Sequence, residues 1–251
     1  MTSKKRQQFD LQLSTDDDLL GKIYPYLDEF QDHIRISLNK FSKVTGRDRL
    51  QVLEIGCGGG LTTTKILKSF AQIELTCLDI NGQAIEFAKK RMDRHFPNSK
   101  AKFVHVDAVE FLEKCPEGKF DAIVSAWTIH NIRRKKRRIL LENAYRSIAN
   151  EGIFVNADKY ARNASLHNKD LYNFTNRLIS VLQSENDHEV LKYFLLHGIE
   201  DEHPERIMIK KNEIRDMQNI GYYDVSSLFR REMECVVVAY KNTLKKGRNH
   251  E

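Results

Sequence analysis

Glu54, Gly56, Cys57, Gly58 and Gly60 fall within Val-Leu-Glu-Ile-Gly-Cys-Gly-Gly-Gly-Leu-Thr-Thr at 52–63, an apolar run leading through an acid into a glycine turn and a helix. Glycines at 56, 58 and 60 permit positive φ angles and let the backbone lie close against a ligand. The turn is shaped for a small molecule. In dinucleotide-binding folds, Gly-x-Gly-x-x-Gly seats a pyrophosphate on the helix N-terminus. Here the third glycine comes one residue early, and Leu61 takes the dinucleotide position. Glu54, two residues before the first glycine, would repel a pyrophosphate and suits a ligand carrying an ammonium and a sulfonium. The chemistry points to a cationic amino-acid nucleoside.

A second acid strengthens this reading. Asp79 closes the next apolar segment, followed by Ile80, and lies 23 residues beyond Gly56. That agrees with the roughly 20-residue spacing at which an acid reads ribose hydroxyls in the dinucleotide fold. Its structural alternative is a cap for the helix expected at 82–94.

These residues need a scaffold, and the hydropathy pattern supplies one. A leading amphipathic helix is expected over 22–41, with Ile23, Leu27, Phe30, Ile34 and Leu38 at helical spacing. Strands are expected at 50–55, 73–80, 102–106, 121–125 and 153–157, alternating with helices at 61–71, 82–94 and 134–149. A helix at 211–219 precedes two strands at 222–230 and 233–240, which form an antiparallel hairpin turning at Arg231-Glu232. Between 158 and 204 the spacing becomes helical and aromatic, as in an inserted cap. Alternating β and α elements imply an α/β fold with a mostly parallel sheet and helices on both faces. Ligands of such sheets bind at the carboxyl ends of the strands where the strand order reverses.

Glu-Ile-Gly-Cys-Gly-Gly-Gly resembles motif I of the class I S-adenosylmethionine (SAM) dependent methyltransferases, and the likeness extends over about 22–240. It implies a seven-stranded sheet in the order 3-2-1-4-5-7-6 with strand 7 antiparallel, and SAM as cofactor. By this resemblance, Glu54 orients the glycine turn or engages the methionine end through its neighbours, the backbone of Gly56, Cys57 and Gly58 lies against that same end, and Asp79 and Ile80 hold the ribose. Asp107, with the Ala108 amide nearby, reads the adenine amino group, a helix cap being compatible with that role. Ala126 touches the cofactor through its backbone. Tyr26, in Ile-Tyr-Pro-Tyr-Leu-Asp-Glu-Phe, is the expected contact from a segment that closes over the methionine, or else an aromatic packed on the sheet.

Methyl transfer is an in-line displacement on an already activated methyl, so alignment and exclusion of water matter more than catalytic side chains. His130, in Ser-Ala-Trp-Thr-Ile-His-Asn just past strand 4, is the expected base or cofactor-positioning residue. A histidine that only bonds the loop backbone is the alternative. Trp127, unless it simply covers the sheet edge, and Tyr160, His167, Tyr172 and Arg177 are candidate acceptor contacts. Strand 4 is not followed by Asn-Pro-Pro-Tyr or Asp-Pro-Pro-Tyr, which argues against adenine-N6 and glutamine acceptors. The cap favours a compact small-molecule acceptor. An RNA methyltransferase and a non-catalytic SAM-binding module are the competing readings.

The 251 residues are 30% charged and 41% hydrophobic with net charge +6. This describes an ordinary soluble chain, and no apolar run approaches the roughly 20 residues of a membrane helix. Expected divisions are a flexible segment at 1–21, a SAM-binding core at 22–157, the cap at 158–204, the end of the core at 205–240 and a basic tail at 241–251. Cys57, Cys77, Cys115 and Cys235 lack paired or metal-ligand spacing and read as reduced structural thiols; no metal is expected. A cytoplasmic location is expected, since the basic start at 1–8 is followed by a mixed, acidic stretch rather than a signal-like apolar region. The unbroken basic block Arg133–Arg138 reads as a solvated helix face, with a phosphate or RNA contact or a localisation signal as alternatives.

Overall fold

The computed structural model describes residues 16–68 and 72–242. Residues 1–15 of the expected flexible segment, 69–71 of the first crossover helix and 243–251 of the basic tail lie outside the described residues.

Seven strands form one sheet in the order β3-β2-β1-β4-β5-β7-β6. They are β1 (Leu50–Ile55), β2 (Ile73–Asp79), β3 (Lys100–His105), β4 (Phe120–Ala126), β5 (Ile148–Lys159), β6 (Tyr223–Arg231) and β7 (Glu234–Tyr240). The first five run parallel, and β7 pairs antiparallel with both β5 and β6. This is the expected fold. Strands covered on both faces read as continuous apolar runs, and β1 buries five of its six residues, Glu54 among them.

Helices α2 (Leu27–Thr45), α3 (Leu61–Leu67) and α4 (Gly82–His95) cover one face through Phe30, Ile34, Phe41, Ile66 and Ile85. Helices α5 (Ala108–Glu113), α6 (Arg134–Ser147) and α9 (Lys210–Ile220) cover the other through Leu112, Leu140, Ala144 and Met217. The cap comprises α7 (Ala164–Ser184) and α8 (His188–Asp201). Its apolar side packs on Leu19, Leu20 and Ile23 of α1 (Asp17–Ile23).

Four expectations are corrected. The leading helix is two helices, because Pro25 drives the residue before it out of the α region; Tyr24 sits at φ −117°, ψ 82° and ends α1. Residues 17–21, expected within the flexible segment, belong to the helix α1, with Asp16 accepting from the Leu19 amide as N-cap. Strand β5 begins five residues early, with a register shift opposite Phe120 and Ala122 that absorbs the Glu151-Gly152 turn. The hairpin turn falls at Glu232-Met233, where Glu232 takes φ 47°.

Candidate active site

The carboxyl ends of β1, β2, β3 and β4 open into a cavity of about 940 Å³, roofed by the cap and by Tyr24. This lies at the upper end of the roughly 300–1,000 Å³ of small-molecule sites. On the β1–β3 side the wall is built from the glycine turn. The amides of Gly56 and Cys57 both donate to the Leu78 carbonyl, tying the turn to the adjacent strand. Gly56 has φ 71°, and a Cβ there would lie 2.0 Å from the Thr128 hydroxyl, so only glycine fits between turn and β4 loop. Gly60, at φ 83°, begins α3, where a Cβ would press on the Ala88 backbone at 3.3 Å. The early third glycine thus lets α3 and α4 approach.

Asp79 is the hinge of this wall. Its Oδ2 accepts from the Gly58 amide at 2.7 Å and its Oδ1 from the Asn81 amide at 2.8 Å. Burial pushes its carboxyl above the ordinary value, against the lowering effect of those amides. The cap of α4 is Asn81, which accepts from Gln83 and Ala84, so Asp79 is not spent on that task. Asp107 does cap its helix, accepting from Val109 at 2.7 Å and Glu110 at 3.4 Å, while also lining the cavity with Ala108. Ile80, Ala126 and Trp127 line it too.

Glu54 does not reach the cavity. It is fully buried behind the turn, with Oε2 accepting from the Thr63 hydroxyl at 2.6 Å and Oε1 lacking a partner. Burial pushes it from 4.5 up to about 7. Tyr26 is likewise off the cavity, its ring under the Arg231 guanidinium. Tyr24, two residues earlier, takes the roofing position, its ring tilted by 42° against Trp127 at a centroid distance of 4.5 Å, with burial pushing its phenol up to about 12. Trp127 itself holds φ 46°, a strained value for a bulky residue.

The side of the cavity beyond β4 centres on His130. Its Nδ1 lies 2.5 Å from Oδ1 of Asp158, and the other Asp158 oxygen accepts from the Ile129 and His130 amides. Asp158 is fully buried at the end of β5 and fixes both the loop and the imidazole. The outward Nε2 lies 3.8 Å from Asp201 of α8. Asp201 also receives Lys159 at 2.8 Å and His197 at 3.5 Å. Burial alone would raise the Asp201 carboxyl, but the Lys159 ammonium and the two imidazoles hold it well below the usual carboxylate range.

Sequence reasoning missed Asp158, Lys159, His197, Asp201 and Tyr24. Asp158 was within reach, since it is an acid directly after the strand expected at 153–157, as Asp79 is an acid at the end of β2. Of the candidate acceptor contacts, Trp127 is in the cavity. Tyr160 and His167 line a small adjoining cavity of about 40 Å³, where Tyr160 bonds Asn156 and His167 pairs with Glu202. Arg177 clasps Glu232 and the Ile23 carbonyl, and Tyr172 is exposed.

The sheet order, the glycine turn at the strand-order reversal and the acids at successive strand ends define the Rossmann-like class I methyltransferase architecture. Residues 53–154 match the family model described as a methyltransferase domain. A carboxy-S-adenosyl-L-methionine synthase of Nautilia profundicola is 23% identical over 95% of this chain and 96% of its own. A malonyl-[acyl-carrier protein] O-methyltransferase of Halalkalibacterium halodurans is 36% identical over 30% of this chain and 27% of its own. Among solved structures, the CurJ carbon methyltransferase superposes with a TM-score of 0.64 at 18% identity, covering 93% of this chain and 61% of that one. No helix among the described residues is long and apolar enough to cross a membrane.

Proposed function

We propose that the protein transfers the methyl group of SAM to a compact, anionic acceptor held beneath the cap. The observation that carries this is the carboxylate of Asp79, which ties turn to strand end while facing a cavity also lined by Asp107. The ribose hydroxyls of SAM donate to Asp79, the adenine amino group to Asp107, and the methionine end lies along Gly56, Cys57 and Gly58. Glu54 acts from behind, stiffening the turn through Thr63.

Charge is divided across the cavity. Asp79 and Asp107 stand on the donor side, while Arg133, Lys135, Lys136, Lys159 and Arg206 stand on the other. Lys159 and Arg206 are neutralised by Asp201 and Glu200, whereas Lys135 and Lys136 have no carboxylate partner among the described residues. An acceptor bearing a carboxylate or phosphate fits that rim. His130, oriented by Asp158, is the polar centre against which the acceptor is held.

Calorimetry with SAM, S-adenosylhomocysteine and NAD tests the donor half. Binding of both adenosyl ligands without NAD is expected, and binding of NAD alone overturns the reading. A second reading, in which SAM itself is the molecule modified by a carboxylate-bearing co-substrate, is favoured by the near full-length similarity to a carboxy-SAM synthase and by the cationic rim. Mass spectrometry of recovered nucleoside separates the two: S-adenosylhomocysteine marks methyl transfer, and a heavier adenosyl sulfonium marks modification.

A further inference from the structure

We propose that His130, His197 and Asp201 form a site for a divalent transition-metal ion on the acceptor side of the cavity. One donor atom from each lies within 4.8 Å of the other two. All three residues line the cavity, so an ion held between them stays open to a ligand from that side. His197 and Asp201 are four apart on α8 and therefore share a face, and His130 meets them from the turn after β4.

Three details favour an ion over a simple polar cluster. Oδ1 of Asp201 is buried without a hydrogen-bond partner, although its neighbour Oδ2 receives Lys159. The carboxylate therefore has an unsatisfied lone pair on the His197 side, where the distance to Nε2 is 3.5 Å. Next, Asp158 occupies Nδ1 of His130, which leaves Nε2 as the outward donor. A carboxylate behind an imidazole is the usual support of a metal-bound histidine. Finally, two imidazoles and one carboxylate on one side of an open cavity match the nitrogen-rich donor sets of iron(II), cobalt, nickel and zinc better than the all-oxygen sets of calcium and magnesium.

Lys159 and Arg206, the latter 4.0 Å from Asp201, oppose a cation electrostatically, and the carboxylates of Asp158 and Asp201 offset them. Lys159 retains Oδ2 while the ion takes Oδ1. The open positions of the ion face the acceptor half, where an oxygen of the acceptor completes its coordination. That role rests on the methyltransferase reading above, although the site itself does not.

The full chain, stripped with a chelator, is titrated with Co²⁺ alone while visible absorption is recorded, and Zn²⁺ is then added as competitor. Saturable, stoichiometric d–d bands that Zn²⁺ displaces are expected. His197→Ala and Asp201→Asn should each abolish them, and Asp158→Asn should weaken Co²⁺ binding by about 10–100-fold. His167→Ala, whose imidazole pairs with Glu202 instead, should leave the bands unchanged. Absence of bands in the parent chain, or bands that persist unchanged in both His197→Ala and Asp201→Asn, overturns the site. Circular dichroism identifies a variant that has lost its fold, and His197→Gln then replaces His197→Ala. SAM calorimetry on the same samples keeps the two conclusions apart: SAM binding without Co²⁺ removes the ion alone, and Co²⁺ binding without SAM removes the methyltransferase reading alone.

Discussion

Asp79 joins the glycine turn to the start of the next crossover through two charge-assisted bonds. Each hydrogen bond to a charged group contributes about 1.5–3 kcal/mol, and 1.4 kcal/mol is a factor of ten. With two ribose hydroxyls as partners, Asp79→Ala should weaken SAM binding at least about 100-fold by calorimetry; unchanged affinity removes it from the ribose. Glu54 makes a different prediction, because burial raises its carboxyl from 4.5 to about 7. Between those values the folded state keeps a proton that the unfolded chain has released. Stability should therefore fall as pH rises from about 4.5 to 7, by an amount on the order of a few kcal/mol. Glu234, pushed to about 7 by burial, acts in the same direction. Denaturant unfolding at several pH values checks this: Glu54→Gln should flatten the slope, and an unaltered slope would show that Glu54 does not carry it.

At the level of elements, α6 shows that a run of like charges need not be uniform. Arg133, Arg134 and Arg138 stand at the surface in pairs with Glu205, Asp216 and Glu142. Arg137, in the same block, is fully buried and bonds Glu213 at 2.9 Å as well as the carbonyls of Ile132 and Arg206. It clamps α6 to α9. Breaking a buried pair leaves an uncompensated charge, so Arg137→Ala should cost about 3–5 kcal/mol in chemical denaturation. Arg138→Ala should leave the denaturation midpoint essentially unchanged. The expectation of a solvated helix face holds for the exposed positions and fails at 137, where the helical period turns the side chain inward. A spacing argument finds that inward face only once the helix start is fixed, and here no acid or capping side chain marks it.

For the whole molecule, the roof of the cavity is assembled from distant parts of the chain. Leu19, Leu20 and Ile23 of α1 pack with Leu178 and Leu182 of α7 and Phe194 of α8. Arg177 fastens this layer by donating to the Ile23 carbonyl and pairing with Glu232 in the β6–β7 turn. Arg177, expected at the acceptor, is instead a strap for the roof. Ile23 is fully buried there, and Ile23→Ala should cost about 2–5 kcal/mol and speed proteolytic cutting within 164–201 before the core is cut. Equal protection of cap and core in that variant would show that α1 does not hold the roof.

The succession of strands and helices, the turn and the acids at strand ends were legible in the sequence because those signals are local, whereas the sheet order followed from the resemblance carried by the glycine motif. Gly56, Asp79 and Asp107 could be singled out because each sits at a fixed offset from a strand end. The polar cluster across the cavity from the glycine turn was visible only in the folded chain. His130, Asp158, His197 and Asp201 are separated by up to 71 positions and meet because β5 and the cap close over one loop. The same closure decided between Tyr24 and Tyr26, which differ by two positions across Pro25. Which of them faced the cavity depended on where α1 docked, and that was set by apolar contacts with α7 and α8 rather than by any local pattern.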